Sequence, residues 1–160
     1  MSTSTMTRPP FRVEGSATIK HLNIRKEGPD DDKVIAVDIK MEITKVDRRL
    51  CAYFDEALEA FLWRGDTNAL IVRNTFVEPV KYLYTLKDAT VQINTRELFG
   101  CKVSKFQITP KDGGVIDLTL TVSALPTKSE VAELANLVSD GAAVSINGPL
   151  DLFADEGGGA

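Results

Sequence analysis

The chain has 160 residues, of which 43% are hydrophobic and 26% charged, and its formal net charge is −4 at pH 7. This composition is that of an ordinary globular domain with a core of its own, and no apolar run approaches the roughly 18 residues that a membrane span needs. Two cysteines, Cys51 and Cys101, without a CxxC motif and with a single histidine suggest neither a disulfide framework nor a zinc site. The chain start lacks the basic-then-apolar order of a signal peptide, so we expect a cytoplasmic protein without a metal or cofactor.

The first part of the chain predicts two strands. Residues 1–10 are rich in Ser, Thr and Pro and show no periodicity, so we expect a disordered segment before a single folded domain over residues 11–148. Phe11 to Lys26 then predicts a strand whose apolar phase slips between Ile19 and Leu22, which indicates a bulge. The next stretch, KVIAVDIKMEI, alternates apolar and polar residues in the manner of a strand with one buried face.

A helix is predicted next, followed by short strands. Asp47 can cap a helix whose apolar residues recur at three-and-four spacing from Leu50 to Leu62, and Gly65 can end it. The stretch 69–77 and the segments KYLYTL and ATVQI then predict three short strands.

The last part of the chain predicts a hairpin, a second helix and a closing strand. The hairpin turns at DGG, residues 112–114, because these residues tolerate the backbone of a tight turn. Its first strand changes apolar phase between Val103 and Phe106. Thr127 and Glu130 have the spacing of a capping box at a helix start, and AAVSIN predicts the final strand.

The two halves of the chain share this order of elements. At a constant shift, Ile35 falls on Ile116 and Ile39 falls on Leu120. We therefore predict an α+β fold of two pseudo-repeated ββαβ units, about 11–77 and 89–148, whose antiparallel sheet is backed by two helices. Two alternatives stay open: any two amphipathic strand-then-helix segments look alike, and an OB-like barrel could also accommodate the strands.

The sequence gives little support for an enzyme. A Ser or Cys nucleophile would have to use His21 as its base, and this histidine lies at a strand phase change next to Lys20. The acidic turn EGPDDDK lacks the glycine and the distal glutamate of a calcium loop. We therefore predict no catalytic residue and no metal ligand.

Basic side chains recur on the predicted strands of both halves. Acidic residues are concentrated in one turn and in the tail, so the negative net charge does not exclude a basic face. Tyr82 and Tyr84 would share one face of a strand and could stack on unpaired bases. The alternative is an ordinary solvated sheet with two packed tyrosines. The predicted nucleic-acid-binding residues are Lys20, Arg25, Lys26, Lys81, Tyr82, Tyr84, Lys102 and Lys105.

The tail, residues 149–160, is acidic and glycine-rich. Its residues Leu150, Asp151, Leu152 and Phe153 resemble the bacterial sliding-clamp-binding motif, in which an extended peptide places a Leu and a Phe in an apolar pocket. Pro149 stands where that motif commonly has glutamine. The resemblance implies a tail that docks a host sliding clamp or another replication protein. The alternative is that the segment folds back onto the body as a last strand.

Two longer segments, IKHLNIRKEGPDDDKVIAVDIK and GCKVSKFQITPKDGGVIDLTLTVS, together with the acidic tail, resemble small bacteriophage and prophage proteins of replication or recombination gene clusters. The resemblance implies a non-enzymatic accessory factor that binds DNA, with single-stranded DNA as the expected form, and that docks a protein through its tail. The alternative function is a self-associating interaction module or inhibitor that does not bind nucleic acid. Homo-oligomerisation is compatible with both.

Overall fold

The computed structural model describes residues 10–65, 70–73 and 79–149. About 60% of these residues lie in strands and 15% in helices, so the fold is mostly β. The strands are β1 Arg12–Glu27, β2 Val34–Asp47, β3 Trp63–Arg64, β4 Ile71–Val72, β5 Val80–Tyr82, β6 Leu86–Ile93, β7 Arg96–Lys111, β8 Val115–Ala124 and β9 Gly141–Asn147. The helices are a 3₁₀ turn at Arg48–Leu50, α1 Cys51–Phe54, α2 Leu58–Leu62 and α3 Lys128–Ala135.

Six strands close into one antiparallel ring. Its order is β1, β2, β8, β7, β6 and β9, and β9 pairs again with β1. The short strand β5 adds to β7 at Val80–Tyr82, next to β6 along the same edge. Because side chains alternate between the two faces of a strand, each ring strand sends every second residue into one interior. Fully buried residues of β2 and β8 include Ile39, Met41, Ile43, Leu118, Leu120 and Val122.

The prediction of an α+β fold made of two ββαβ units is wrong. The described residues form a mostly β fold around one ring and share one hydrophobic core. β2 and β8 have the same apolar pattern because they are neighbours in the ring, with Met41 opposite Leu120, and line the same interior. Alternation reports that one face is buried, and it reports nothing about how the halves are arranged. The ring also differs from the OB-like alternative, because an OB-fold has five strands.

The predicted long helix after Asp47 is broken into short pieces. Asp47 does cap the first turn, since its side chain accepts a hydrogen bond from the backbone N–H of Arg49 at 2.8 Å. The chain leaves the helix at Asp55, which has extended backbone, and the Asp55 carboxylate accepts a hydrogen bond from the N–H of Ala57 at 2.7 Å. Such local side-chain bonds compete with the helical backbone pattern, so the three-and-four spacing yields two short helices.

These short helices bring aromatic residues onto the ring. The ring centroid of Phe54 lies 5.3 Å from that of Phe106 and 4.7 Å from that of Tyr82. Phe11 lies 5.0 Å from Tyr53, and most contacts are edge-to-face, the arrangement that the quadrupoles of aromatic rings favour. The apolar residues whose spacing predicted one long helix therefore form an aromatic cluster that packs against β5 and β7.

Both predicted phase slips are confirmed as bulges. The pairing of β1 with β2 shifts between Ile19 and His21, and that of β7 with β8 shifts between Ser104 and Gln107. In the second bulge Lys105 has a φ of 57°. A bulge bends its strand and increases the local twist, and such bends allow a six-stranded sheet to close on itself.

Three further predictions are confirmed by the structure. The β7–β8 hairpin turns at residues 112–114, the strand AAVSIN lies within β9, and the capping box at Thr127 and Glu130 begins α3. Of the predicted strand over residues 69–77, Ile71–Val72 form β4, and much of the remainder lies outside the described residues. In the part of the chain that the structure describes, no helix is long and apolar enough to cross a membrane.

The left-handed backbone of Lys105 predicts how substitutions there change stability. Lys105→Val should lower the free energy of unfolding by about 1–2 kcal/mol, because a β-branched residue is strained at positive φ. Lys105→Asn should leave it nearly unchanged, since Asn tolerates this backbone. Urea denaturation measures both variants. The control is Lys102→Val at a strand position outside the bulge, and equal losses at the two positions would contradict the prediction.

Candidate nucleic-acid interface

The outer face of β1, β2, β8 and β7 carries polar side chains in rows across the strands. In one row Asn23 is opposite Asp38, which is opposite Ser123 and then Lys102. In the next row His21 is followed by Lys40, Thr121 and Ser104. In a third row Glu42 is followed by Thr119, Gln107 and Lys81 on β5. The rows follow directly from the alternation that buries Ile39, Met41, Leu120 and Val122.

This outer face carries six cationic side chains, and we call it the basic wall. They are Lys20, Arg25, Lys40, Lys81, Lys102 and Lys105. Its carboxylates are already paired: Lys20 Nζ lies 3.4 Å from Glu42 Oε1, and Arg25 forms ion pairs with Asp38 and Glu27. Four lysines of the wall form no ion pair with any described residue. They are Lys40, Lys81, Lys102 and Lys105, all solvent-exposed. The basic wall therefore presents uncompensated positive charge to solvent.

Asp38 anchors the β1 side of the wall. Arg25 donates to both carboxylate oxygens, from Nε at 2.9 Å and from the second guanidinium nitrogen at 3.1 Å, and the Ser123 hydroxyl donates at 2.7 Å. The hydrogen bond from Arg25 is the main reason that the pKa of Asp38 falls to about 2, and the bond from Ser123 adds to it. Asp38 is therefore ionised at neutral pH, and its negative charge is compensated by Arg25 on the same face.

The wall is indented between its β1 and β7 sides. The concavity has a volume of about 330 Å³ and lies over β2 and β8. It is lined by residues with polar or charged side chains, namely His21, Asn23, Asp38, Lys40, Lys105, Gln107, Thr119 and Thr121. Because the strands of a closed ring hold these side chains, the concavity is positioned by the rigid part of the fold.

The structure brings together five of the basic residues predicted to bind nucleic acid. Lys20, Arg25, Lys81, Lys102 and Lys105 all lie on the basic wall. Lys26 does not join them, because it follows Arg25 on β1 and is opposite Ile35, on the other face of the β1–β2 ribbon.

The two tyrosines predicted to stack on bases lie away from the wall. Tyr82 is opposite Phe106 on β7, so it faces the ring interior while the neighbouring Lys81 faces outward. Its ring centroid lies 5.8 Å from that of Tyr84, and Tyr84 in turn lies 6.4 Å from Tyr53. For Tyr82 this arrangement fits the alternative interpretation of a packed tyrosine, whereas Tyr84 is 43% exposed.

Of the eight residues that line the concavity, only Lys105 was predicted from the sequence to bind nucleic acid. The other seven, Lys40 and Gln107 among them, were not. A signal for Lys40 was present, since it alternates with Ile39 and Met41 and must therefore face outward from β2. The predicted docking residues Leu150, Asp151, Leu152 and Phe153 lie outside the described residues.

The described residues contain no group of three His, Cys, Asp or Glu side chains that could hold a metal ion. Both cysteines are buried and free, and burial raises the pKa of Cys51 to about 12 and that of Cys101 to about 11. A thiol with such a pKa is a poor nucleophile at neutral pH. The two cysteines therefore act as small core residues.

Comparison with known proteins does not add a family. No protein-family model matches the chain, and no curated protein or solved structure is significantly similar to it.

The lowered pKa of Asp38 predicts a pH-dependent contribution to stability. Because the folded pKa of about 2 lies below the ordinary 3.8, the contribution is complete above about pH 4 and is lost as the pH falls toward 2. We expect Asp38→Asn to lower the free energy of unfolding by about 1 kcal/mol at pH 7, after allowance for solvent screening. Urea denaturation over a pH series measures this difference.

The difference between Asp38→Asn and the unmodified protein should shrink below about pH 4, since the carboxyl of Asp38 then takes up a proton in the unfolded state, and it should vanish as the pH falls through about 2, where the folded carboxyl is protonated too. Asp30→Asn, which changes an exposed carboxylate in the turn, is the control and should have little effect at any pH. A difference for Asp38→Asn that persists unchanged at the acid end would contradict the assigned role.

Proposed function

We propose that this protein is a non-enzymatic nucleic-acid-binding factor, acting in the cytoplasm, that binds single-stranded DNA through the basic wall. The observation that supports this most directly is the convergence of Lys40, Lys81, Lys102 and Lys105 on one face where the carboxylates are already ion-paired. A negative net charge of the whole chain does not oppose local binding, because exposed charges farther apart than about 10 Å are largely screened at ordinary salt.

The arrangement of the lysines suits a phosphate backbone. Lys81 and Lys102 lie on different strands, and Lys40 and Lys105 line the concavity between the two sides. A polyanion laid across the strands could contact several of these ammonium groups at once and release its condensed counterions. Such contacts carry no sequence information, so the binding that we propose is weakly sequence-dependent.

The biological setting that we propose is DNA replication or recombination, of the kind carried out by the bacteriophage and prophage proteins that the chain resembles. In that setting Leu150–Phe153 would dock a sliding clamp or another replication protein as an extended peptide. This part of the proposal rests on the sequence resemblance of the tail alone.

Salt dependence tests the nucleic-acid part of the proposal. If the four unpaired lysines contact phosphates, log K for a labelled oligothymidylate should fall against log salt with a slope of about −3, or about 50-fold between about 50 and 200 mM salt. Lys102→Gln combined with Lys105→Asn should make the slope shallower by about 1.4. Fluorescence anisotropy at several salt concentrations measures both.

The matched control carries the same change of charge outside the wall. Lys87→Gln with Lys128→Gln alters β6 and α3 and should leave affinity and slope close to those of the unmodified protein. No binding at low salt, or an equal loss in the control, would contradict a role for the basic wall.

A second candidate function is self-association, and one observation favours it. β9 pairs with β1 only over Arg12–Thr18, so from His21 to Glu27 the edge of β1 that faces away from β2 has no strand partner among the described residues. Ile24 on this edge is 53% exposed. An antiparallel pairing with a second copy centred on Ile24 would place Glu27 opposite His21. The cations Arg25 and Lys26 oppose such edge pairing, which is why nucleic-acid binding is the preferred function.

Sedimentation velocity over a range of protein concentrations tests self-association. If β1 pairs between copies, the protein should show a dimer that Ile24→Lys converts to monomer, because two buried ammonium groups would meet at the centre of the pairing. The control is Ile71→Lys, which changes an exposed apolar residue of β4 and should leave the dimer intact. A monomer at every concentration would remove this candidate.

A further inference from the structure

The concavity in the basic wall contains more than cations. Its volume of about 330 Å³ lies at the lower end of the roughly 300–1,000 Å³ of small-molecule sites. Lys40 and Lys105 line it together with His21, the amides of Asn23 and Gln107, two threonine hydroxyls and the carboxylate of Asp38, which is ion-paired with Arg25. The cations alone would be sufficient to bind a phosphate. The neutral polar groups beside them indicate a ligand that also has hydrogen-bonding atoms outside its phosphate.

The neutral polar groups of the concavity can form further hydrogen bonds. Among the described residues, the side chains of Gln107, Thr119 and Thr121 have no recorded hydrogen-bond partner, whereas Asn23 donates to Asp38 at a long 3.4 Å. An amide and a hydroxyl can each donate and accept. The lining therefore offers both kinds of contact, next to two ammonium groups and the imidazole of His21, whose ring can stack on a base.

A nucleotide unit combines these requirements. Its phosphate is an anion, and its base carries donors and acceptors on one edge. In a duplex the Watson–Crick edge is already paired and the base is stacked, so only an unpaired base can present that edge to the concavity. Gln107 and Thr119 are directly opposite each other on β7 and β8, so the two groups are fixed relative to each other by the strand pairing.

We propose that the concavity binds one unpaired nucleotide, with its base edge bonded to Gln107, Thr119 and Thr121 and its phosphates held by Lys40 and Lys105. This inference rests on the proposed function and deepens it, because it makes the base itself a recognised group. It accounts for a preference for single strands that the spread of lysines does not provide, since those lysines would contact the phosphates of a duplex as well.

The test compares strands that differ only in their bases. Fluorescence anisotropy is measured with a labelled oligothymidylate, an abasic strand with the same number of phosphates, the corresponding duplex, and a ribonucleotide strand. The unmodified protein should bind the intact strand at least about fivefold more tightly than the abasic strand and more tightly than the duplex. Gln107→Met, which keeps the size of the side chain without its amide, should remove most of this preference while leaving the salt slope unchanged.

The control is Gln92→Met on β6, an exposed strand glutamine outside the wall, which should keep the preference. Equal affinity for intact and abasic strands, or for single strand and duplex, would overturn the nucleotide site while leaving salt-dependent DNA binding in place. No binding of any strand at low salt would overturn the proposed function itself. Tighter binding of the ribonucleotide than of the deoxyribonucleotide strand, with the base preference retained, would support the site and identify RNA as its polymer.

Discussion

Closure of six antiparallel strands into one ring is the constraint on which the rest of the structure depends. A closed ring has one interior, so the inward-facing residues of its strands are mostly apolar and the residues between them face outward. Closure also requires bends, and the bulges supply them at Lys20 and Lys105. These bulge residues are solvent-exposed lysines. The requirement that shapes the core thus also places two of the cations on the outer face.

The sequence predicted the strands well because strand formation depends on local alternation. The phase slips near Lys20 and Lys105 and the turn at residues 112–114 are also local features, and the structure has them. The arrangement of the strands was predicted wrongly, because pairing such as that of β2 with β8 joins distant segments and leaves no mark on periodicity. The helix after Asp47 was overextended, since a capping bond at Asp55 and the packing of Phe54 against the ring outweigh helical spacing.

The candidate site was predictable only in part for the same reason. Lys102 and Lys105 could be placed on the outer face of a strand from alternation together with the phase slip between them. That they share a wall with Lys40 and Lys81 depends on the order β2, β8, β7 and β5, which the sequence does not reveal. The contribution of Gln107 was invisible, because an amide on a strand becomes part of a site only when its cross-strand neighbours are known. Tyr82 shows the converse: its spacing from Tyr84 suggested a shared stacking surface, and the pairing of β5 with β7 places Tyr82 opposite Phe106 in the aromatic cluster.

The two cysteines have a consequence for the environments in which the protein can work. Cys51 and Cys101 are both inaccessible to solvent, and their high pKa values leave almost no thiolate at neutral pH. Oxidation to sulfenic acid and disulfide exchange both proceed through the thiolate at an accessible sulfur. The folded protein should therefore keep both thiols unmodified in oxidising and reducing surroundings alike.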